Sequence, residues 1–334
     1  MRAPYLTARR LVVTLAALAL GLVATLALTL LIGPSHASLR TALADASTPD
    51  AVILFRTRLP RLLLAAVVGG SLSTAGTALQ GLLGNPLACP HVLGVSAGAA
   101  LAGVLVLIAG ADPVSPLVPA AAFLGALGTI GVVSLGARAG GRTAPHAVLL
   151  IGVVCNAIAA AGIMLVNAIV SYAQAQGVLF WIMGSLSTQS YAVVGAAALY
   201  ASVGLVWLLR YSQDLNLLAA GEEGAFQLGV DVERVRRMVF LAASLLVGAA
   251  VSVSGMIAFV GLIVPHLLRL ILGPDHRLLL PASFLGGAAF LVWADTLARV
   301  ALGPAELPVG VVTALLGGPF FVFLLRRDLR RGMA

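Results

Sequence analysis

Apolar runs follow one another along nearly the whole chain, and each run is broken by proline, glycine or charged residues. A helix needs about 20 apolar residues to span a bilayer, and in lipid its backbone must satisfy its own hydrogen bonds. The pattern therefore predicts an all-α polytopic membrane protein with about ten transmembrane helices, in which residues 1–334 form a single domain. The predicted helices cover residues 10–33, 61–83, 92–110, 117–137, 146–170, 190–210, 235–255, 257–273, 279–301 and 309–326.

The first run, from Leu11 to Ile32, resembles a signal peptide because the small-residue stretch Ser35–Ala37 follows it. A cleavable apolar region usually has about 7–15 residues, and this run is longer. We therefore expect a retained first membrane helix.

The composition supports a lipid-embedded chain: 60% of the residues are hydrophobic, 10% are charged, and the mean hydropathy is +1.08. Soluble domains are closer to half apolar and a quarter charged. The 37 glycines would allow the close helix contacts that drive association in lipid. In such a protein a net charge of +8 reports orientation, so we expect the lipid bilayer, and not nucleic acid, as a partner.

The distribution of the arginines predicts which loops face the cytoplasm. If both termini are cytoplasmic and the helices alternate, 15 of the 20 arginines lie on the cytoplasmic side and five lie outside. This agrees with the excess of basic residues found in cytoplasmic loops. The outer five include Arg56, Arg58 and Arg61 of "RTRLPR", a cation cluster that is either a functional charge or interfacial snorkelling.

Catalysis within this chain is not expected. It contains no lysine, whereas a P-loop needs one on the nucleotide phosphates, so a standard ATP-hydrolysing site is excluded. Cys89 and Cys155 are far apart in apolar contexts and predict packing residues, with no metal site. "GVSAG" at Gly94–Gly98 matches the nucleophile-elbow pattern but opens a membrane helix, so we interpret it as a packing motif and reject Ser96 as a nucleophile.

Two glycine-spaced segments predict an internal inverted repeat. "VGGSLSTAG" ends at Gly76 and "VGAAVSVSG" ends at Gly255, and each has a glycine seven residues earlier. In the predicted topology the two helices run in opposite directions, as in transporters whose pathway lies between two membrane halves.

Ionisable residues are nearly absent from the predicted helices between residues 61 and 205, which argues against coupling to protons or sodium. Asp295 and Arg299 are four residues apart on one helix and are predicted to pair. The energy source would then be another polypeptide, although an ion-coupled secondary transporter remains the alternative.

Two predicted cytoplasmic loops have features of functional elements. Residues 211–235 are polar and contain "GEEGAFQLGV", a short helix between glycines that could dock in a groove of a partner or could be a solvated connector. "GNPLACPHVLG" at Gly84–Gly94 is uncharged, and its prolines fix a rigid path that suits a pathway constriction or an ordinary turn.

Four long motifs together resemble the FecCD-type permeases, the membrane subunits of ABC importers for ferric siderophores, haem and cobalamin. The resemblance extends from Arg58 to Arg327. The motifs are "RLPRLLLAAVVGGSLSTAGTALQGLLGNPLACPHVLGVSAGA", "GVDVERVRR", "SGMIAFVGLIVPHLLRLILGPDHRLLLPAS" and "ADTLARVALGPAELPVGVVTALLGGPFFVFLLRR".

This resemblance implies a type II ABC importer permease fold, a homodimer with the pathway at its interface, and a location in the bacterial inner membrane. It also implies two cytoplasmic ATPase subunits, which bind the ATP and magnesium, and a periplasmic binding protein that delivers the cargo. No cofactor is expected in this chain itself.

The resemblance further assigns roles to individual residues. Arg58, Arg61 and Arg299 match positions that meet acidic residues of the binding protein, whereas Arg56 matches none. "GRTAPH", with Thr143 to His146, matches a second gate region with departures, and "FWIMGSLS" from Phe180 resembles a short helix near the outer gate. The cytoplasmic gate would be Asn85 and Leu87, and the ATPase-coupling residues Glu222, Glu223, Gly224, Ala225, Leu228 and Gly229.

Overall fold

The structure, a computed structural model, is an almost entirely helical bundle. It describes residues 6–112, 115, 117–139, 142–143, 145–186, 190–303 and 305–332. The helices are α1 (Ala8–Leu31), α2 (Leu39–Ala44), α3 (Pro49–Ala51), α4 (Leu59–Leu82), α5 (Val95–Ile108), α6 (Leu117–Gly136), α7 (Pro145–Ile169), α8 (Tyr172–Ile182), α9 (Tyr191–Arg210), α10 (Ser212–Ala220), α11 (Glu222–Gln227), α12 (Val232–Ser254), α13 (Val260–Leu272), α14 (His276–Val300) and α15 (Val309–Gly332).

Within the described residues, seven helices are long and apolar enough to cross a membrane: α1, the continuous helix Pro49–Leu82, α6, α7, α9, α12 and α14. Three shorter apolar helices, Val95–Ile108, Val260–Leu272 and Val309–Val322, complete a set of ten. Each of the ten corresponds to one predicted from the apolar runs. The predicted fold class, an all-α polytopic membrane protein, is confirmed.

The structure adds elements that the apolar pattern does not show. A π-helical segment, Val52–Arg58, joins α3 to α4, so the continuous helix Pro49–Leu82 begins twelve residues before the predicted start at residue 61. The short helix predicted from Phe180 is α8, which begins earlier, at Tyr172, and ends at Ile182. Ser187, the last residue of the quoted "FWIMGSLS", lies outside the described residues.

A small hairpin joins α6 to α7. Its two strands, β1 (Arg138–Ala139) and β2 (Arg142–Thr143), are antiparallel, with Arg138 opposite Thr143. The second gate region predicted at Thr143 to His146 begins on β2 and continues into α7. Ala144 and the side chains of residues 138–146 lie outside the described part, so this role stays a prediction.

The centre of the bundle is α4, which packs against α9, α12, α13 and α14 and is buried along most of its length. Glycines bring these backbones together. A methyl group on Gly76 would overlap the backbone of Gly261 in α13, and one on Gly69 would overlap that of Gly287 in α14. Small residues at helix contacts are typical of membrane bundles, where van der Waals packing replaces the hydrophobic drive.

The chain is unwound between α12 and α13. Gly255 has a φ of 65°, and Phe259, with a φ of 67°, is the one described non-glycine residue in the left-handed region. Gly255 lies so close to the carbonyl of Trp181 that a side chain there would overlap it. The break falls where the apolar pattern predicts two helices to meet, and the strained Phe259 opens α13.

Candidate functional site

One end of α4 carries the three arginines predicted to dock a partner. Arg58 is the last residue of the π-helical segment and is only 4% exposed. It donates to the Leu30 carbonyl at 3.1 Å, to the Ser35 hydroxyl at 3.2 Å, and also to the Ser35 carbonyl. Arg58 therefore fastens the end of α1 to the start of α4.

Arg61 and Arg299 share one buried carboxylate, that of Asp295. Arg61 Nη2 donates to Asp295 Oδ1 at 2.9 Å, and Arg61 Nη1 donates to Glu306 Oε2 at 2.7 Å. Arg299 Nε donates to Asp295 Oδ2 at 3.1 Å, which confirms the predicted pair, and its Nη2 reaches the Thr296 hydroxyl at 3.1 Å. Asp295 is fully buried, whereas the Glu306 side chain is 45% exposed.

The structure thus brings Arg58, Arg61 and Arg299 together but largely covers them. Two carboxylates offset their three charges, which leaves a net charge of +1 in this cluster. The accessible cations near it are different residues, since Arg56 on the π-helical segment and Arg40 on α2 are both exposed. The partner of Arg61 was not found from the sequence, because Asp295 lies 234 residues away.

The other end of α4 leads into the loop that holds Asn85 and Leu87. The Asn85 amide donates to the Gln80 carbonyl at 3.2 Å, and its side-chain Oδ1 accepts from the Leu87 amide at 2.9 Å. This local turn fixes the path around the intervening proline. The loop is also fastened to α7, because Asn156 Nδ2 donates to the His91 carbonyl at 3.0 Å.

Both gate candidates line an apolar cavity of about 430 Å³. It lies between the loop that holds these two residues, the unwound segment before α13, α7 and α15. Burial lowers the pKa of His91, which keeps its ring neutral at physiological pH. The lining residues are Asn85, Leu87, Cys89, His91, Val92, Leu149, Ala258, Phe259, Leu262 and Phe321.

The predicted coupling loop folds into α10 and α11, which meet at Gly221. Arg236 of α12, 3% exposed, donates to Glu222 of α11 and to Glu233, each at 2.5 Å. Glu222 is on α11 and Arg236 is on α12, so this charge-assisted pair holds α11 against α12, while Glu233 lies on the same helix as Arg236. Glu223 and Gly224 are exposed, and Gly229 ends the segment with a φ of 87°.

The coupling candidates divide into inward and outward residues. Ala225 is 1% exposed and packs into the bundle, so it anchors α11. Phe226 and Leu228 project outward, 72% and 71% exposed. Phe226 was missing from the predicted coupling residues. The signal that could have found it is an aromatic residue in a polar loop, because aromatic side chains are enriched at interfaces.

The motif at Gly94–Gly98 is a packing site, as predicted. Ser96 is buried in the first turn of α5, and a methyl group on Gly98 would overlap the Thr129 hydroxyl of α6. No cluster of three or more potential metal-ligating side chains occurs in the part of the chain that the structure describes.

The described helices include ten apolar helices, with a short polar helix that exposes Phe226 and Leu228 at one end and an arginine cluster at the other. The family model described as the FecCD transport family matches residues 19–327. The chain belongs to the FecCD transport family. It is an ABC transporter permease, a multi-pass membrane protein and a transport component without enzymatic activity.

Two curated relatives and one solved structure show the extent of the similarity. The chain is 45% identical to the cobalamin import system permease protein BtuC of Halobacterium salinarum over 84% of this chain and 75% of that protein. It is 42% identical to the hemin transport system permease protein HmuU of Yersinia pestis, over 89% and 90%. An inward-facing putative metal-chelate type ABC transporter superposes with a TM-score of 0.83 at 32% identity, covering 95% of this chain and 99% of that one.

Proposed function

We propose that this protein is the membrane permease of an ATP-driven importer for an iron chelate, haem or cobalamin. Two copies would form the pathway at their interface, with alternating access between a periplasmic binding protein and the cytoplasm. Cobalamin and hemin are the cargoes for which the two relatives are named, and the similar solved structure is named as a metal-chelate type transporter. Its place would be the bacterial inner membrane, with both termini in the cytoplasm, as the arginine distribution predicts.

The observation that carries this proposal is the docking helix α11. It is short and enclosed by Gly221 and Gly229, it presents Phe226 and Leu228 to solvent, and Arg236 holds it in place. Burying one such side chain in a partner contributes about 1.5–3 kcal/mol. A cytoplasmic ATPase subunit, of which the complete importer would hold two, is the occupant we propose for this surface.

At the opposite end we propose that the face around Arg58, Arg61 and Arg299 receives the binding protein. An acidic partner surface would be steered by a positive face, which affects the association rate and orientation more than affinity. These three arginines are largely covered, so they would act on a partner mainly through long-range electrostatic attraction and less through direct contact. Arg61 is the most accessible of them. Arg56, exposed on the same face, adds to that field.

Asn85 and Leu87 are proposed as the cytoplasmic gate. Their loop is fixed at Gln80 and Asn156, yet it borders a cavity into which side chains can move. The cavity is almost wholly apolar, which suits a gate that closes by packing and opens without breaking ion pairs. Movement of the gate would follow from ATP binding by the partner subunits. Small displacements at a docking site can switch a packed helix bundle between two arrangements, because such bundles are bistable.

The test of the ATPase assignment uses Phe226→Asp, which places a charge on the proposed contact. We expect the ATPase subunit, expressed together with the permease, to copurify with the wild type and to be lost from the variant. The matched control is Leu43→Asp, an exposed leucine on α2 at the other end of the bundle. Equal ATPase recovery with Phe226→Asp and wild type would contradict the proposed docking surface.

An ion-coupled secondary transporter is the alternative from another class. Among the described residues its only support would be Asp295, the one fully buried carboxylate, and that group is already held by Arg61 and Arg299. Such a transporter would accumulate cargo in response to a proton or sodium gradient without ATP.

A further inference from the structure

One side chain of α10, the helix that precedes the docking helix α11, contacts the start of a membrane helix. Asn216 Nδ2 donates to Asp275 Oδ1 at 2.9 Å, and Asn216 Oδ1 accepts from the His276 backbone amide at 2.8 Å. The same oxygen lies 2.8 Å from His276 Nδ1. An amide oxygen can only accept, so His276 Nδ1 carries the ring proton. Asn216 therefore fixes both the start of α14 and the orientation of the His276 ring.

The opposite nitrogen of that ring points at α4. His276 is 2% exposed, and its Nε2 has no hydrogen-bond partner among the described residues. It lies against Gly81, where a methyl group would overlap Nε2. The ring fits only because residue 81 has no side chain, so a displacement of His276 toward α4 must move that helix or tilt the ring.

Gly81 lies in the last turn of α4, immediately before the gate loop. The neighbouring Gln80 carbonyl accepts from the Asn85 amide at 3.2 Å, so this turn is bonded directly to the gate. The Gln80 side chain also reaches the first turn of α13, with Nε2 3.4 Å from the Leu262 carbonyl. Any shift of this turn is therefore passed to Asn85 and to one wall of the gate cavity.

The hydrogen bond between Asn216 and Asp275 is stable at physiological pH. Arg277 Nη2 donates to the Asp275 carboxylate at 2.6 Å, and its hydrogen bonds, followed by that of Asn216, lower the Asp275 pKa to about 2. The carboxylate stays ionised at physiological pH and keeps its acceptor position toward Asn216. Satisfied polar contacts make the structure around them rigid, so a displacement of Asn216 is expected to move Asp275 and His276 with it.

We propose that Asn216 is a positioning residue that transmits movement of the coupling helices to the cytoplasmic gate, through His276 and Gly81. This rests on the proposed function, since the movement originates from an ATPase docked on α11 and reaches α10 across Gly221.

The test uses Asn216→Ala in the complete importer, reconstituted in vesicles with its ATPase and binding protein. We expect the ATPase to copurify as with wild type, while cargo transported per ATP hydrolysed falls at least about tenfold, a loss of about 1.4 kcal/mol of coupling. The double variant Asn216→Ala with His276→Ala should be no worse than either single variant, because residues in one chain of contacts are non-additive. The control is Ser202→Ala, which removes an exposed hydroxyl bonded to its own helix α9.

A second variant keeps the test valid if Asn216→Ala does not fold. Gly81→Ala leaves Asn216 in place and displaces the ring, so it should lower the same ratio. An unchanged ratio in the folded variants overturns the link, while ATP-dependent uptake by the wild type shows that the proposed function stands. Loss of the ATPase from Asn216→Ala would also overturn it, because the residue would then act in docking. A wild type without ATP-dependent uptake overturns the proposed function and the link together.

Discussion

Replacing Asp295 by asparagine tests the electrostatic account of the arginine cluster at the start of α4. Asp295 is fully buried and accepts hydrogen bonds from both Arg61 and Arg299. Asparagine keeps the size but removes the charge, so Arg299 is left buried with no carboxylate and Arg61 keeps only Glu306. Breaking a buried ion pair by removing one partner costs about 3–5 kcal/mol.

The magnitude can be converted to a melting temperature. A loss of 1 kcal/mol lowers the Tm by about 2–4 °C in proteins of 150–250 residues, and the lower figure suits this longer chain. We therefore expect Asp295→Asn to lower the Tm of the detergent-solubilised protein by about 6–10 °C, followed by intrinsic tryptophan fluorescence during heating.

The matched control is Glu306→Gln, which removes the exposed partner of the same arginine. Exposed ion pairs contribute about 0–1 kcal/mol, so its Tm should fall by no more than about 2 °C. The reasoning would be refuted by a Tm for Asp295→Asn within 2 °C of wild type, or by equal losses in the two variants.

Three further predictions concern packing, the rejected nucleophile and pH. Gly76→Val should lower the Tm and the yield of folded protein, because its side chain would overlap the backbone of Gly261, while Gly128→Ala, with open space around it, should leave both unchanged. Ser96→Ala should leave vesicle uptake at the wild-type rate, and abolished uptake by folded protein would argue for a chemical role. The pKa of Asp275 is lowered in the folded protein. Ionised Asp275 therefore stabilises the folded state fully at pH values above its unfolded-state pKa of about 3.9, and this contribution is lost as the pH falls through about 2. The Tm difference between wild type and Asp275→Asn should accordingly be the same at pH 5 and pH 8, and a difference that vanishes at pH 5 would show another titrating group at work.

The helices were predictable because every segment that crosses the lipid must be apolar and must satisfy its backbone hydrogen bonds internally. The pair of Asp295 with Arg299 followed from helical spacing alone. The π-helical segment Val52–Arg58 was not predictable, since its residues are compatible with an ordinary helix and only tertiary contacts select the wider turn. The left-handed backbone conformation of Phe259 could not be predicted for the same reason.

The candidate site was predictable in its location but not in its exposure. Sequence motifs identified Arg58 and Arg61, yet their burial depends on Ser35 and Asp295, which lie on other parts of the chain. The loop pattern predicted the short helix α11, but the inward position of Ala225 arises only when α11 packs on the bundle. Exposure is a property of the assembled helices, and local sequence does not contain it.

The most direct test of the central claim is uptake by vesicles that contain this permease, its ATPase and its binding protein. The panel of cargoes should include ferric siderophores, haem and cobalamin. We predict that at least one cargo accumulates only when ATP and both partner proteins are present, and that ionophores do not diminish it. Accumulation without ATP, driven by a proton or sodium gradient, would contradict the account.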